Sequence, residues 1–379
     1  MSEFWLISAP GEPTPDRAWS LLQERTTRES DLSKNYKIHL PELKIGTLDT
    51  LVGLSDDLTK TDTFIEGVVK KIASYLSDVL EGDSHDKLSE NLRANGEDPA
   101  HYLANFRWDV AKYPVKLPLK NLSEIISKQV SQIDADLKSR SQQYNQVRTN
   151  LQQLERRTTG NLMTRNLGDL VSKEDFVHGS DYLTTLIVVV PKSSAQEWRM
   201  TYEKLTDMVV PRSSKLVFED SDHCLFTVSL FRKVVDEFKL HAREHKFLVR
   251  DFAYEENSQD SERNEAQKLE AEKRRQFGPL VRWLKVNFSE TFTAWVHIKM
   301  LRVFVESVLR YGLPVNFQAV LMEPHRKSHR RLRDTLDALY AHLEASIAGP
   351  QENIDIPGIM SNQQEYYPYV YFNIKLDLF

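Results

Sequence analysis

The sequence predicts an α+β protein of elongated shape, in which a basal domain built from both ends of the chain carries a neck of long antiparallel helices and an inserted α+β head domain. Three patterns predict it: an apolar seam at heptad spacing between residues 126 and 154, a stretch at 260–314 that changes from charged to apolar, and short β-branched or aromatic runs near both termini and in the middle of the chain.

The seam is the most regular pattern in the chain. Its members follow steps of four and three, broken only by Arg140: Ile126, Val130, Ile133, Leu137, Tyr144, Val147, Leu151 and Leu154. Such a seam is typical of a helix that pairs with one other helix. The pattern predicts a helix over residues 123–157, which would be ~50 Å long at 1.5 Å per residue.

The stretch at 260–314 is the best candidate for the partner helix. It is highly charged up to residue 275 and almost entirely apolar from 292 to 309, apart from a polar stripe at helical spacing: Lys299, Arg302, Glu306 and Arg310. A helix of this kind begins in water and ends inside a core. We expect the charged half to pair with the seam, and we interpret the stripe as internal ion pairs rather than as a partner-facing surface.

Residues 160–255 lie between these two helices and have a different pattern. Strands are expected at 186–190, 225–228 and 247–252, and helices at 195–207 and 231–244. Further strands are expected at 4–10 and 366–376, so both termini should share one domain. No internal repeat is evident. The predicted boundaries are 1–120 and 290–379 for the basal domain, 121–159 and 256–289 for the neck helices, and 160–255 for the head domain.

The composition is that of an ordinary globular protein of two or three domains. The 379 residues are 28% charged and 40% hydrophobic, and the formal net charge of −5 argues against a dedicated nucleic-acid-binding protein. Cys224 is the single cysteine, so no internal disulfide can form and a reducing, cytoplasmic location is expected. No apolar run reaches the ~18–20 residues that a membrane-spanning helix needs.

The motifs of common enzymes are missing from the sequence. No glycine pattern matches a phosphate-binding loop and no G-x-S-x-G turn is present, so we predict no catalytic residue, no cofactor site and no metal site. His241, Glu244 and His245 match the H-x-x-E-H order of some zinc proteases. We favour solvated histidines, because the helix is charged and no third ligand is evident. Cys224 is interpreted as a small buried hydrophobe.

A basic turn at residues 325–333 contains the run HRKSHRRLR. Such a turn could contact phosphates or acidic lipid headgroups. We favour a solvated loop here, because the surrounding chain is not basic.

Seven runs together resemble the C subunit of the vacuolar-type proton-pumping ATPase (V-ATPase), and they cover the chain from end to end in that family's order. They are EFWLISAP at 3–10, LVGLSD at 51–56, AKYP at 111–114, MVVPRSS at 208–214, QFGPLVRWLKVNFSE at 276–290, RVFVESVLRYGLPVNF at 302–317 and QEYYPYVY at 364–371.

The resemblance implies a foot that contains both termini, a neck of long helices and an inserted head. It also implies a non-catalytic subunit, needed for assembly and reversible disassembly of the pump on the cytosolic face of acidic organelle membranes. The head would bind one peripheral stalk, which is made of the E and G subunits. The foot would bind a second stalk and the cytosolic N-terminal domain of the membrane a subunit. Some family members also bind actin filaments, so the alternative is an actin-binding cytoskeletal adaptor.

The resemblance does not identify the side chains that contact partners. For the head we predict Arg212, Phe231 and Arg232, a polar and aromatic set near turns.

Overall fold

The computed structural model describes residues 3–80, 90–168, 170–252, 256–347 and 367–377, with side chains throughout except at 157–159, 256–263 and 344–347. The chain divides into two compact units: unit 1 is Met1–Ser141 with Gly278–Phe379, and unit 2 is Gln142–Phe277. Each unit contains one four-stranded antiparallel sheet together with helices. The predicted α+β class is therefore confirmed, while the division into foot, neck and head stays a prediction.

The elements follow one another along the chain in this order. They are β1 (Glu3–Pro10), α1 (Pro15–Gln23), β2 (Ser33–Ile38), α2 (Leu48–Val79), α3 (Pro99–Ala104), α4 (Leu119–Thr159), β3 (Leu183–Pro191), α5 (Ala195–Thr201), β4 (Lys215–Glu219), β5 (His223–Phe231), α6 (Val235–Glu244), β6 (Leu248–Arg250), α7 (Glu256–Tyr311), β7 (Phe317–Pro324), α8 (His329–Ile347) and β8 (Val370–Lys375). A π-helical turn, Glu24–Arg28, follows α1.

The sheet of unit 1 joins the two ends of the chain. Its strand order is β2–β7–β1–β8, and β1 pairs antiparallel with β8, with Ser8 opposite Val370. The expectation that both termini share one domain is confirmed. Strand β1 is an almost continuous apolar run because it lies between two neighbouring strands and is buried along its length. Strand β2 was not predicted, because its sequence SKNYKI, at the sheet edge, lacks an apolar alternation.

The polar stripe of α7 is hydrogen-bonded to other elements of unit 1, and its main partner is buried. Asp62 of α2 is 3% exposed and accepts hydrogen bonds from Trp295 Nε1 at 2.9 Å, from Lys299 Nζ at 2.9 Å and from Arg302. Further along the stripe, Glu306 accepts from Ser55, and Arg310 donates to the carbonyl of Tyr367 at 2.9 Å. The interpretation of the stripe as internal is therefore confirmed.

His297 holds the irregular segment around residues 106–113 against α7. The rings of Phe106, Trp108 and Tyr113 surround it at centroid distances of 5.0, 4.9 and 4.7 Å. Its Nδ1 donates to the carbonyl of Thr293 at 2.7 Å, and its Nε2 accepts from the backbone N–H of Asp109 at 3.1 Å. The bond that Nε2 accepts requires the neutral ring, and burial lowers the pKa of His297 to about 4.

The predicted seam lies on α4, which begins and ends a few residues beyond the expected limits. Within unit 1 its buried residues are Ile126, Val130, Ile133 and Leu137, and within unit 2 they are Tyr144 and Leu151. Among the described helices, none is long and apolar enough to cross a bilayer.

Unit 2 has the chain order β-α-β-β-α-β and the strand order β4–β5–β3–β6, which is the split β-α-β arrangement. One face of the sheet packs on an aromatic cluster in which Trp198 meets Phe247 at 5.2 Å, Phe226 at 5.9 Å and Phe238 at 6.3 Å. The other face is covered by a second cluster that includes residues from 162–171. Both faces of β3 are buried, which explains its continuous β-branched run.

Candidate partner-binding surface

Unit 2 contains a structural repeat. Strand β3 has nine residues and leads through a 3₁₀ turn, Lys192–Ser194, into α5. Strand β5 also has nine residues and leads through a 3₁₀ turn, Arg232–Val234, into α6. Each element of the second copy begins forty positions after its counterpart. Ile187 lies opposite Thr227, also forty positions apart, so a pseudo-two-fold axis passes through this pair. No repeat was evident in the sequence, because the two copies share backbone geometry rather than residue identity.

The repeat builds the same strand-to-helix corner twice. At one corner the backbone N–H of Arg232 donates to the carbonyl of Tyr182 at 2.8 Å. At the other, the N–H of Lys192 donates to the carbonyl of Asp222 at 2.9 Å. The residues just before the two helices have identical dihedral angles, φ −105° and ψ 9°. We call the first the aromatic corner (Tyr182, Phe231 and Arg232, with the adjacent Met208) and the second the polar corner (Asp222, Pro191 and Lys192).

The aromatic corner exposes large apolar side chains. Tyr182 is 74% exposed, Met208 55% and Phe231 40%. Met208 lies beside Phe231 because its carbonyl accepts the N–H of Phe231 at 3.2 Å. The Arg232 guanidinium donates to the carbonyls of Ser180 at 3.2 Å and Leu183 at 3.4 Å. Aromatic residues, Met and Arg are the types enriched in protein–protein interfaces.

The polar corner pairs its polar groups with one another. Lys192 Nζ lies 2.5 Å from the Glu219 carboxylate. The Asp220 carboxylate accepts the backbone N–H groups of Asp222 at 2.8 Å and His223 at 2.5 Å. Partial burial acts to raise the pKa of Asp220, but these hydrogen bonds and a weaker one from the N–H of Leu162 hold that pKa below its ordinary value. None of the three residues that define this corner is a large exposed hydrophobe.

The structure brings two of the three predicted contact residues together, because Phe231 and Arg232 both lie on the aromatic corner. Arg212 lies on the loop that leads into β4, is exposed and has φ +59°. Its backbone N–H donates to Glu203 Oε1 at 2.9 Å. Whether any of the three contacts a partner stays a prediction.

Sequence reasoning missed Tyr182 and Met208. Tyr182 was visible as an aromatic residue just outside the β-branched run of β3, a position that favours exposure. Met208 gave no such signal, because it has a left-handed backbone conformation, φ +66°, and pairs with β5 through tertiary structure.

The two histidines of the H-x-x-E-H run bind different partners. His241 Nδ1 donates to the carbonyl of Leu205 at 2.7 Å, whereas His245 Nδ1 lies 3.3 Å from the Glu197 carboxylate. Over the described ranges, no group of three or more His, Cys, Asp or Glu residues could hold a metal ion. Cys224 is buried, and burial followed by the charge of Glu219 raises the pKa of its thiol, which disfavours a nucleophilic thiolate.

Exposed aromatic, Met and Arg side chains at one corner of a sheet are typical of protein–protein interfaces. Comparison with known proteins identifies the family. The chain matches the family described as the V-ATPase C subunit over residues 4–370. It is 60% identical to the V-type proton ATPase C subunit of Manduca sexta and 60% identical to the C 1-A subunit of Danio rerio, with 100% of this chain and 99% of each relative covered. It is 57% identical to the C 1 subunit of Bos taurus at the same coverage. This chain belongs to the V-ATPase C subunit family.

Among solved structures, the cytoplasmic N-terminal domain of the I subunit, a homolog of the a subunit of V-ATPase, aligns with a TM-score of 0.31 and 11% identity. The alignment covers 89% of this chain and 98% of that one. The score is too low to indicate a shared fold.

Proposed function

We propose that this chain is a non-catalytic subunit of the cytosolic sector of the V-ATPase, which bridges the peripheral stalks, made of the E and G subunits, to the cytosolic N-terminal domain of the membrane a subunit. The observation that carries the proposal is the family match along the whole chain. The protein acts in the cytoplasm and, when assembled, on the cytosolic face of acidic organelle membranes. A rotary pump needs static parts that resist torque, and a bridge of this kind supplies part of that resistance.

Within this proposal, the aromatic corner is the contact between the head and one peripheral stalk. Tyr182, Met208 and Phe231 supply apolar anchors, and Arg232 supplies a cation that its backbone hydrogen bonds hold in place. A few such anchors usually account for most of the affinity of an interface. Arg212 adds a second exposed cation on the neighbouring loop.

Two interfaces on one chain explain how assembly can be both stable and reversible. When one contact forms, the second becomes intramolecular, and this linkage can raise overall affinity by about 10²–10⁴-fold without any new contact. Each interface can therefore have moderate affinity while the assembled state persists. Loss of one contact then releases the whole subunit, which gives a route to the reversible disassembly that controls proton pumping.

The proposal is tested by mixing the purified full-length chain with a purified heterodimer of the E and G subunits and measuring affinity by titration calorimetry. In parallel, cells that lack their own C subunit are supplied with this chain, and membrane association of the cytosolic sector and proton pumping are measured. We expect binding of the heterodimer and recovery of both cellular readouts. A chain that co-sediments with actin filaments but binds neither stalk protein would instead be the cytoskeletal adaptor.

A further inference from the structure

The basic turn that follows β7 carries several exposed cations. Arg326, Lys327, Arg330 and Arg331 are all exposed. Within the part of the chain that the structure describes, none of the four forms a side-chain ion pair or hydrogen bond. By contrast, the exposed Lys70 of α2 lies 2.8 Å from Glu66.

The backbone of the turn is held in place from both sides. The N–H of Ser328 donates to the carbonyl of His325 at 3.0 Å, and the N–H of His325 donates to the carbonyl of Leu32 at 2.9 Å. Leu332 and Leu336, on the helix that follows, are fully buried. The four cations therefore stand on a fixed turn and on the first turn of α8.

Most of the neighbouring acids already have partners. Asp31 lies 3.6 Å from His325, Glu3 lies 3.4 Å from His329, and Glu323 accepts from the Tyr36 hydroxyl at 3.2 Å. Among the described acids near the turn, the exposed Asp334, one helical turn beyond Arg330, has no such partner. The described groups at this turn therefore carry a local excess of positive charge, although the formal net charge of the whole chain is −5.

The residues around the turn do not resemble a protein interface. In the described parts of 316–377 no large hydrophobic side chain is exposed, whereas interfaces are anchored by aromatic residues and Met and are depleted in Lys. Lys and Arg side chains are long and flexible, and no hydrogen bonds to described residues hold these four in place. They therefore do not form a preorganised site for one particular lipid headgroup. Such side chains can bind a surface whose negative charge is spread over many groups.

We propose that this basic turn binds the surface of an anionic lipid bilayer. The physical basis is the attraction of clustered Lys and Arg to an anionic leaflet. For four cations this attraction raises partitioning from water onto the vesicle surface by about 1,000-fold. Such binding is weak on its own and falls off within a Debye length, about 8 Å at physiological ionic strength. In an assembled complex it would add to the protein contacts through effective concentration.

The test is co-sedimentation of the full-length chain with vesicles of phosphatidylcholine alone, of phosphatidylcholine with phosphatidylserine, and of phosphatidylcholine with a phosphoinositide at the same surface charge. We expect binding to both anionic vesicles in equal measure, none to neutral vesicles, and release at 1 M salt, where the Debye length is about 3 Å. The variant Arg326→Gln, Lys327→Asn, Arg330→Gln, Arg331→Gln should lose about 1,000-fold in partitioning. Asn replaces Lys327 because the backbone there has φ +73°, a left-handed conformation that Asn adopts more readily than most residues.

The matched control removes the same number of positive charges elsewhere, on α2 and α4, with Lys60→Gln, Lys70→Gln, Lys71→Gln and Lys128→Gln. This variant should bind vesicles like the unmodified chain. Thermal unfolding verifies that both variants fold. Equal binding to neutral and anionic vesicles, or equal losses in both variants, would overturn the proposal. So would selective binding of the phosphoinositide at matched charge, because that requires a headgroup pocket. A variant that keeps vesicle binding but loses an acidic protein partner, such as actin filaments, would also overturn it.

Discussion

The two corners of unit 2 share a backbone and differ in what they expose. Both have the same hydrogen bond, at 2.8 and 2.9 Å, and the same dihedral angles before the helix. The polar corner achieves this geometry with Asp222, Pro191 and Lys192, so exposed aromatic side chains are not needed to build it. The corner therefore does not need the exposed side chains of Tyr182 and Phe231 in order to fold, and this is why we propose that they bind a partner.

The largest effect is expected from giving the aromatic corner a residue of the polar corner. Tyr182→Asp places the counterpart of Asp222 at the equivalent position, where only the backbone carbonyl takes part in the corner. We expect the fold to persist and affinity for the E–G heterodimer to fall about 100-fold or more, as happens when an aromatic residue that an interface buries is removed. Biolayer interferometry would show this mainly as faster dissociation. Unchanged dissociation in a folded variant would break the comparison.

The reverse pattern is expected at the polar corner. Asp220→Ala leaves the N–H groups of Asp222 and His223 without their acceptor, which should cost about 1–3 kcal/mol of stability. Hydrogen exchange of the β3 and β5 amides would report the loss. Stalk affinity should stay the same at temperatures where unit 2 is folded, and a matching loss of affinity would contradict the separation of the two corners.

The residues that define the aromatic corner include no carboxylate or imidazole, so this corner should not respond to mild acid, whereas unit 1 should. His297 has a pKa lowered to about 4, so the unfolded chain takes up a proton near pH 6.5 and the folded chain does not. The stability that His297 contributes is complete above about pH 6.5 and is lost as the pH falls towards 4, at about 1.4 kcal/mol per pH unit.

Urea unfolding should therefore show a loss of about 1.4 kcal/mol at pH 5.5 relative to pH 7.5. His297→Gln should reduce this pH dependence. Stalk affinity measured at pH 6.5 should equal that at pH 7.5, and a marked change would show that a titrating group contributes to the interface.

The smallest effects concern the equivalent cations of the two corners. Arg232→Ala removes two hydrogen bonds to carbonyls and should cost about 1 kcal/mol in stability. Lys192→Ala removes an exposed ion pair with Glu219 and should cost less stability than Arg232→Ala. Only Arg232→Ala should also weaken stalk binding, by several-fold. Equal effects on binding from both variants would show that the two corners are equivalent.

The sequence predicted the class of fold, the shared terminal domain and the polar stripe of α7 because each depends on local periodicity. It could not identify Asp62 as the acceptor for Lys299 and Arg302, since that contact joins residues more than two hundred positions apart. Strand β2 lacked an apolar alternation. The repeat in unit 2 was hidden because Tyr182 and Asp222 share a backbone position and no chemistry.

At the candidate site, Phe231 and Arg232 could be singled out as an aromatic and a basic residue at a strand end. The exposure of these two side chains and the identity of their neighbours could not be predicted from the sequence. Met208 lies beside Phe231 only because the loop before β4 pairs with β5, as the bridge between Val209 and Leu230 records. Such pairing is decided by tertiary packing rather than by local sequence.

The central claim is tested most directly by titrating the E–G heterodimer into three full-length proteins under identical conditions: the unmodified chain, the aromatic-corner variant Tyr182→Ala with Phe231→Ala, and the polar-corner variant Asp222→Ala with Pro191→Ala. We predict that the aromatic-corner variant loses about 100- to 1,000-fold in affinity while the polar-corner variant stays within about twofold of the unmodified chain. Equal affinities for all three proteins would show that the stalk binds elsewhere and would contradict the account.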